Sequence, residues 1–275
     1  MMRFATFSLL TTTCLVSSLS LAQAADLYDA PVMEPAPMMD VAPVSSGWTG
    51  LYLGVQGGGA FNPDDPDDVA LRPNGFPFAG SVIQGAFGSN FDSNFDSSFI
   101  GGAHIGYDYQ IDNVVLGVVA DINAVDVSRS SNADSSTPAF YRTNRSLDYL
   151  GTVRARAGYL VTPTTLGYVT GGLAYGEVDY SFSTNSPAAR GANPAPIVND
   201  DEDDFGYTVG AGMEVMFTEN MSFGAEYQYV NLGGSGSTRL SGGPFGGGVG
   251  GSTDFVVDDD FDFHTVTAKI SYKFN

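Results

Sequence analysis

The sequence predicts an all-β protein: an eight-stranded antiparallel transmembrane β-barrel with short periplasmic turns and four long external loops. Three observations predict it. Eight segments alternate apolar and polar residues with period two. The connections between them alternate between short and long, as in outer-membrane barrels. Beyond the leader, the best apolar run is Val114 to Ala120, far too short for a membrane helix. A chain without such a helix crosses a bilayer only as a closed barrel, because every backbone N–H and C=O must be paired inside the hydrocarbon.

Residues 1–24 read as a signal peptide. Arg3 supplies the positive end, Phe4 to Leu21 carries no charge, and Ala22-Gln23-Ala24 offers the small residues a signal peptidase needs. Residues 25–46 read as a periplasmic linker, with Pro31, Pro35, Pro37 and Pro43 opposing both helix and ladder. Residues 47–275 are left for the barrel.

The first strand places Leu51, Leu53 and Val55 on one face and Tyr52, Gly54 and Gln56 on the other. In the second, Ala103, Ile105, Tyr107 and Tyr109 oppose His104 and Asp108. Leu116, Val118, Ala120 and Ile122 oppose Asp121 and Asn123 in the third, and Val153, Ala155 and Ala157 oppose Arg154 and Arg156 in the fourth. The fifth, Leu166 to Val178, is blurred by glycine but turns Val169, Leu173 and Tyr175 outward. The sixth carries Tyr207, Val209, Ala211, Met213 and Val215 against Glu214, and the seventh Phe223, Ala225, Tyr227 and Tyr229 against Glu226. The eighth sets Val266, Ala268, Ile270, Tyr272 and Phe274 against Lys269 and Lys273. In a lipid-facing barrel the apolar phase points outward. A soluble eight-stranded barrel would reverse the faces.

Short turns follow strands two, four and six. The long connections run roughly over 62–97, 124–146, 179–204 and 232–260, so both termini face the periplasm. Aromatic residues then gather in two girdles at headgroup level. Trp48, Tyr109, Tyr159, Tyr168, Phe217, Tyr272 and Phe274 fall at the periplasmic end; Phe99, Tyr149, Tyr175, Tyr207, Tyr227 and Tyr229 fall toward the external end.

Composition excludes several functions. Loss of the leader removes Cys14, the single cysteine, and with it disulfides and thiolate metal sites. A net charge of −20 argues against nucleic acid as a partner. The acidic runs Asp64-Asp65-Pro66-Asp67-Asp68, Asp200 to Asp204 and Asp258-Asp259-Asp260 lack the alternating spacing and glycine of a calcium loop, and read as solvated loop. Gly242 to Gly248 signals loop flexibility. No cofactor or metal is expected.

Several segments together resemble the small outer-membrane β-barrel proteins of α-proteobacteria, a porin-like family that includes surface immunogens and haemin-binding proteins. They are Ala25-Asp26-Leu27 with its Pro-rich linker, Trp48 to Gly54, Gly151 to Tyr159, Thr170 to Gly176, Thr208 to Glu214, Glu226 to Val230 and Ser271 to Phe274. The resemblance covers the strands and none of the loops. It implies the cell outer membrane of a Gram-negative bacterium, contact with outer-membrane lipids and lipopolysaccharide, and recognition of the C-terminal strand by the barrel-assembly machinery. Here Asn275 follows Phe274, where family members end on the aromatic residue itself.

The charged residues of the inward phase, Asp108, Asp121, Arg154, Arg156, Glu214, Glu226 and Lys269, are expected to form a lumen ion-pair network, since eight strands enclose little more than their own side chains. Neither His104 nor His264 sits in a recognisable Ser or Asp constellation, so no enzyme is expected. The leading function is a surface barrel that supports envelope integrity and presents acidic loops to the environment or host. The alternatives are a small porin-like channel and haemin binding. If haemin binds, His264, Tyr141 and Tyr180 are the candidate axial donors.

Overall fold

A ring of eight antiparallel strands closes on itself in the computed structural model, which describes residues 47–63, 70–75, 85–88, 90–136, 139–191, 196–201, 205–233, 235–241, 245, 251–257 and 260–274. The signal peptide and the linker assigned above lie outside these residues. Around the ring run β1 (Gly50–Phe61), β4 (Ser98–Ile111), β5 (Val114–Ser135), β6 (Ala139–Thr162), β7 (Thr165–Tyr175), β10 (Phe205–Met216), β11 (Met221–Asn231) and β14 (Asp262–Phe274). β14 returns to pair with β1, setting Leu53 opposite Tyr272 and Val55 opposite Ile270. Closure leaves the ring without a free edge.

The faces follow the alternation. Leu53, Ile105, Val118, Val153, Val209, Phe223 and Ile270 are exposed on the outer wall, whereas Arg154, Glu226, Thr208 and Thr265 are buried in the lumen. Glycines of the inward phase make room for the largest lumen side chains. A Cβ on Gly106 would collide with the Tyr52 hydroxyl, and one on Gly212 would come within 2.5 Å of the Tyr168 ring. At the short end, Asp112 has a φ of 52°, a left-handed conformation that Asp tolerates in a tight turn.

The long connections depart from the sequence expectation. Residues 124–146 were expected to be a loop, yet β5 and β6 pair from Ala133↔Tyr141 down to Leu116↔Ala157, with a bulge between Ala124 and Val127. Pairing continues because backbone hydrogen bonds need no lipid. Only the outward face changes, from apolar to polar. β3 (Phe91–Asp96) pairs with the outer part of β5, and β8 (Val178–Thr184) with that of β6. A second sheet, ordered β2-β13-β12-β9, comprises β2 (Ala70–Asn74), β13 (Ser252–Val257), β12 (Ser235–Ser241) and β9 (Ile197–Asp201). The glycine-rich stretch read as flexible therefore flanks two paired strands, and only Phe245 of Gly242 to Gly248 lies within the described residues.

The second sheet and the outer extension of the barrel sheet share a hydrophobic core of their own. Ala133, Tyr141, Leu240 and Phe255 meet there with Phe87, Ala189 and Phe245. Phe182 and Phe255 approach edge to face at 5.8 Å, Tyr141 and Phe245 at 5.7 Å. The loops thus fold into a head. A short helix, α1 (Pro187–Arg190), is capped by Ser186, whose side chain accepts from the Ala189 N–H.

Candidate functional site

The barrel interior is filled in layers. At the periplasmic mouth, Trp48 packs with Val115, Leu160, Leu166, Tyr168 and Met216. Its backbone N–H donates to Gln110 Oε1 at 2.8 Å, its indole N–H to Pro163 O at 3.4 Å, and Lys273 Nζ donates to its carbonyl. Gly50, with φ 143°, is the joint through which the chain turns from this plug into β1.

This corrects the placement of two aromatics. Trp48 is 1 % exposed and Tyr168 6 %, so neither belongs to the lipid-facing girdle. Both fall in the same alternation phase as Tyr52 and Thr170, which points inward, and that phase was the signal to read. Among the other predicted girdle residues, Tyr109, Tyr159, Phe217, Tyr227, Tyr272 and Phe274 are exposed on the outer wall, and Tyr229 is half-buried.

Above the plug lies the charged layer. Arg154 donates to Asp121 Oδ2 at 2.6 Å, to Glu226 Oε1 at 2.5 Å and to Thr170 Oγ1 at 3.0 Å; Lys269 Nζ reaches Glu226 Oε2 at 2.9 Å. Arg156 bonds Glu214 and reaches Asp108 Oδ2 at 3.2 Å, while the Ser222 hydroxyl donates to Glu214 Oε1 at 2.5 Å. The structure therefore brings all seven inward charged residues into contact with an opposite charge. Tyr52 and Tyr168 were not singled out as network members, but they flank Arg156, whose guanidinium carbon stands 5.8 and 3.9 Å from their ring centroids. A residual cavity of ≈ 10 Å³ remains beside His104, Arg156 and Glu226, room for about one water.

The third layer, toward the outside, is apolar again. Ile100, Val127, Leu147, Leu150, Leu232, Phe261 and Phe263 are all at most 1 % exposed in one cluster. Arg129 crosses it to donate to Asp260 O at 2.9 Å and Asp262 Oδ1 at 3.0 Å. Its signal was the continued alternation of Val125, Val127 and Leu147 through the supposed loop.

The candidate haemin donors occupy three separate surroundings. His264 is half-buried on the outer wall, stacked on Phe61 and Tyr227 and accepting or donating at 2.5 Å to the Tyr227 hydroxyl. Tyr141 is 4 % exposed inside the head core, where burial raises its phenol pKa. The Tyr180 hydroxyl lies 3.2 Å from Thr238 Oγ1, joining the two head sheets. Tyr141 fits a core residue and not a ligand, because its ring is enclosed by Phe87 and Phe245. No group of three or more His, Cys, Asp or Glu able to hold a metal occurs among the described residues. Most of the acidic runs lie outside them.

Comparison with known proteins agrees with this geometry. A family model described as the outer membrane protein beta-barrel domain matches residues 11–274. The 31 kDa outer-membrane immunogenic protein of Brucella melitensis is 31 % identical over 238 residues, covering 82 % of this chain and 84 % of that protein. The 22 kDa outer membrane protein of Rhizobium leguminosarum bv. viciae is 32 % identical over 153 residues, 56 % of this chain and 60 % of that one. Among solved structures, the outer membrane protein OprG of Pseudomonas aeruginosa aligns with a TM-score of 0.48 at 16 % identity, covering 84 % of this chain and 99 % of OprG. A closed eight-stranded ring with an outward apolar band, a match to the family model over nearly the whole chain and relatives named as outer-membrane proteins have one meaning: the chain belongs to the outer membrane protein β-barrel family and resides in the Gram-negative outer membrane.

Proposed function

We propose that this protein is a non-enzymatic, non-conducting surface barrel that anchors a folded head outside the cell and supports the envelope around it. One observation carries the reading: the lumen is filled by an apolar plug, an ion-pair layer and a second apolar plug, while the loops share a hydrophobic core. Ions crossing such a lumen would have to displace paired buried charges and two largely apolar layers, so a steady pore is disfavoured. Catalysis is disfavoured for a related reason. His104 Nε2 does lie 2.9 Å from Ser271 Oγ, but both are buried beside a cavity that admits no substrate. The Brucella relatives are named immunogenic, which fits a surface-exposed head here. The exposed Phe274 at the end of β14 supplies the aromatic feature the assembly machinery reads.

Planar-bilayer recording of the refolded chain from residue 25, with a haemin titration alongside, tests the reading. The expected result is an intact membrane baseline and no saturable haemin spectrum. Large, stable single-channel currents would establish the porin-like alternative. A saturable haemin spectrum lost in His264→Ala would establish the haemin-binding one.

A further inference from the structure

The outer extension of the barrel sheet presents a flat polar face. β3, β5, β6 and β8 lie side by side there, one surface packed into the head core and the other turned outward. At the centre of the outward surface, Ser128, Ser130 and Asn132 of β5 stand opposite Ser146, Asn144 and Arg142 of β6. The Ser130 hydroxyl donates to Asn144 Oδ1 at 3.0 Å. Except at Arg142, side chains this short leave no ridge.

Carboxylates frame the face. Asp92 and Asp96 are exposed on one edge strand, β3, and Asp179 on the other, β8; Asp134 is exposed toward the outer end of β5, and Asp126 and Asp148 at the foot, beside the bulge. Against these six stands one cation. Arg142 Nε donates to Asn132 Oδ1 at 2.7 Å, and its guanidinium carbon lies 5.6 Å from the Phe140 ring centroid. Asp96 is held by neutral donors, Asn94 Nδ2 at 3.0 Å and Ser128 Oγ at 3.3 Å. Among the described residues none of the six carboxylates takes part in an ion pair. The second sheet differs: its exposed row sets Asp254 between Arg72 and Arg239, with Arg239 Nε donating to Asp254 Oδ1 at 2.7 Å. Charge is matched along that row and unmatched on the β3-β5-β6-β8 face.

We propose that this face, on the surface-barrel reading above, docks a basic polypeptide from outside the cell, through a segment carrying several Lys or Arg. The sign of the face selects a cationic partner, and opposite charge speeds its encounter. The spacing selects a chain over a single ion. Asp92 and Asp96 stand about 13 Å apart along β3, and Asp96 and Asp179 about 14 Å apart across the four strands. One metal ion bridges neither gap, whereas successive basic side chains of a polypeptide reach both. The serine and asparagine side chains between the carboxylates supply donors and acceptors for the partner's backbone.

Fluorescence anisotropy of a labelled deca-lysine peptide, titrated at low salt with the refolded chain from residue 25 in zwitterionic detergent, tests the face. The unmodified protein should bind deca-lysine and not deca-glutamate, with affinity falling as salt screens the charges. Asp92→Asn, Asp96→Asn and Asp179→Asn together should weaken binding roughly tenfold. Asp201→Asn, Asp203→Asn and Asp204→Asn, an equal loss of charge from the acidic run before β10, should change it by less than about twofold. If the first triple variant does not regain the heat-dependent gel shift, Ser130→Lys at the centre of the face replaces it and should weaken binding likewise. Equal weakening by the two triple variants would reduce the effect to net charge and overturn the proposal. Binding of deca-glutamate, or undiminished binding by the face variant, would overturn it too. Bilayer conductance is a separate measurement, so a failed docking face and a failed non-conducting barrel are told apart.

Discussion

Arg156 stands over Tyr168, its guanidinium carbon 3.9 Å from the ring centroid, and the Tyr168 hydroxyl donates to Glu226 Oε2 at 2.8 Å. This tyrosine joins the two ion-pair groups of the lumen, because Arg156 belongs to one and Glu226 to the other. Tyr168→Phe keeps the ring and removes the hydroxyl. Loss of one hydrogen bond to a buried charge should cost about 1.5 to 3 kcal/mol, read from equilibrium unfolding in detergent. Tyr168→Ala should cost distinctly more, since the cation–π contact goes as well.

Arg154 holds Asp121 and Glu226 together. Arg154→Ala takes the guanidinium from both carboxylates, leaving Asp121 with the Thr152 hydroxyl and the Asn123 amide and Glu226 with Lys269 and the Tyr168 hydroxyl, and should destabilise the barrel by about 3 to 5 kcal/mol. Water entering the space of the lost guanidinium should also raise conductance above the baseline of the unmodified protein. An Arg154→Ala barrel with unchanged stability would show that the network is decorative.

Trp48 closes the periplasmic mouth from a position two residues before the first strand. Trp48→Ala should lower stability by about 3 to 5 kcal/mol. Hydrogen exchange should quicken around Leu160 and Leu166, its neighbours in the plug, while the outer apolar layer stays protected.

The head should open without the barrel. Phe255, fully buried between the second sheet and the outer extension of the barrel sheet, is the best single point of attack. Phe255→Ala should expose the 232–260 region to protease while the heat-dependent gel shift of the barrel persists. Trimming 232–260 to a short turn removes β12 and β13 together and should loosen β2 and β9, which pair with them. Survival of a protease-resistant head after that deletion would contradict the shared core.

Burial in the head core raises the pKa of Tyr141 above its ordinary 10.0. A raised phenol pKa means the folded head holds the proton that the opened head releases. The resulting stability is fully present below about pH 10 and declines as the pH rises through the raised value. Tyr141→Phe should therefore flatten the alkaline loss of head protection relative to the unmodified protein. Identical alkaline profiles for the two would show that Tyr141 titrates freely.

By itself, the sequence determined the barrel, its outward face and the identity of its lumen charges. The reason is the cost of error in a bilayer: a charge on the lipid face is so unfavourable that the period-two phase of Arg154, Arg156, Glu214 and Glu226 assigns the inside of every strand it touches. The same phase could have turned Trp48 and Tyr168 inward, but an aromatic residue at a strand end satisfies a girdle equally well, and only packing against Leu166 and Met216 separates the two. Which charges pair was decided by the stagger of the ring, which sets Arg154 against Asp121 and Glu226 and Arg156 against Asp108 and Glu214. The head was decided entirely by tertiary structure. Its strands carry little local signal, and their partners lie far apart in the chain, as Asn74 and Asp254 do, so no periodicity announces them. Only the closed barrel, by delivering four loops to one end, makes their pairing and shared core possible.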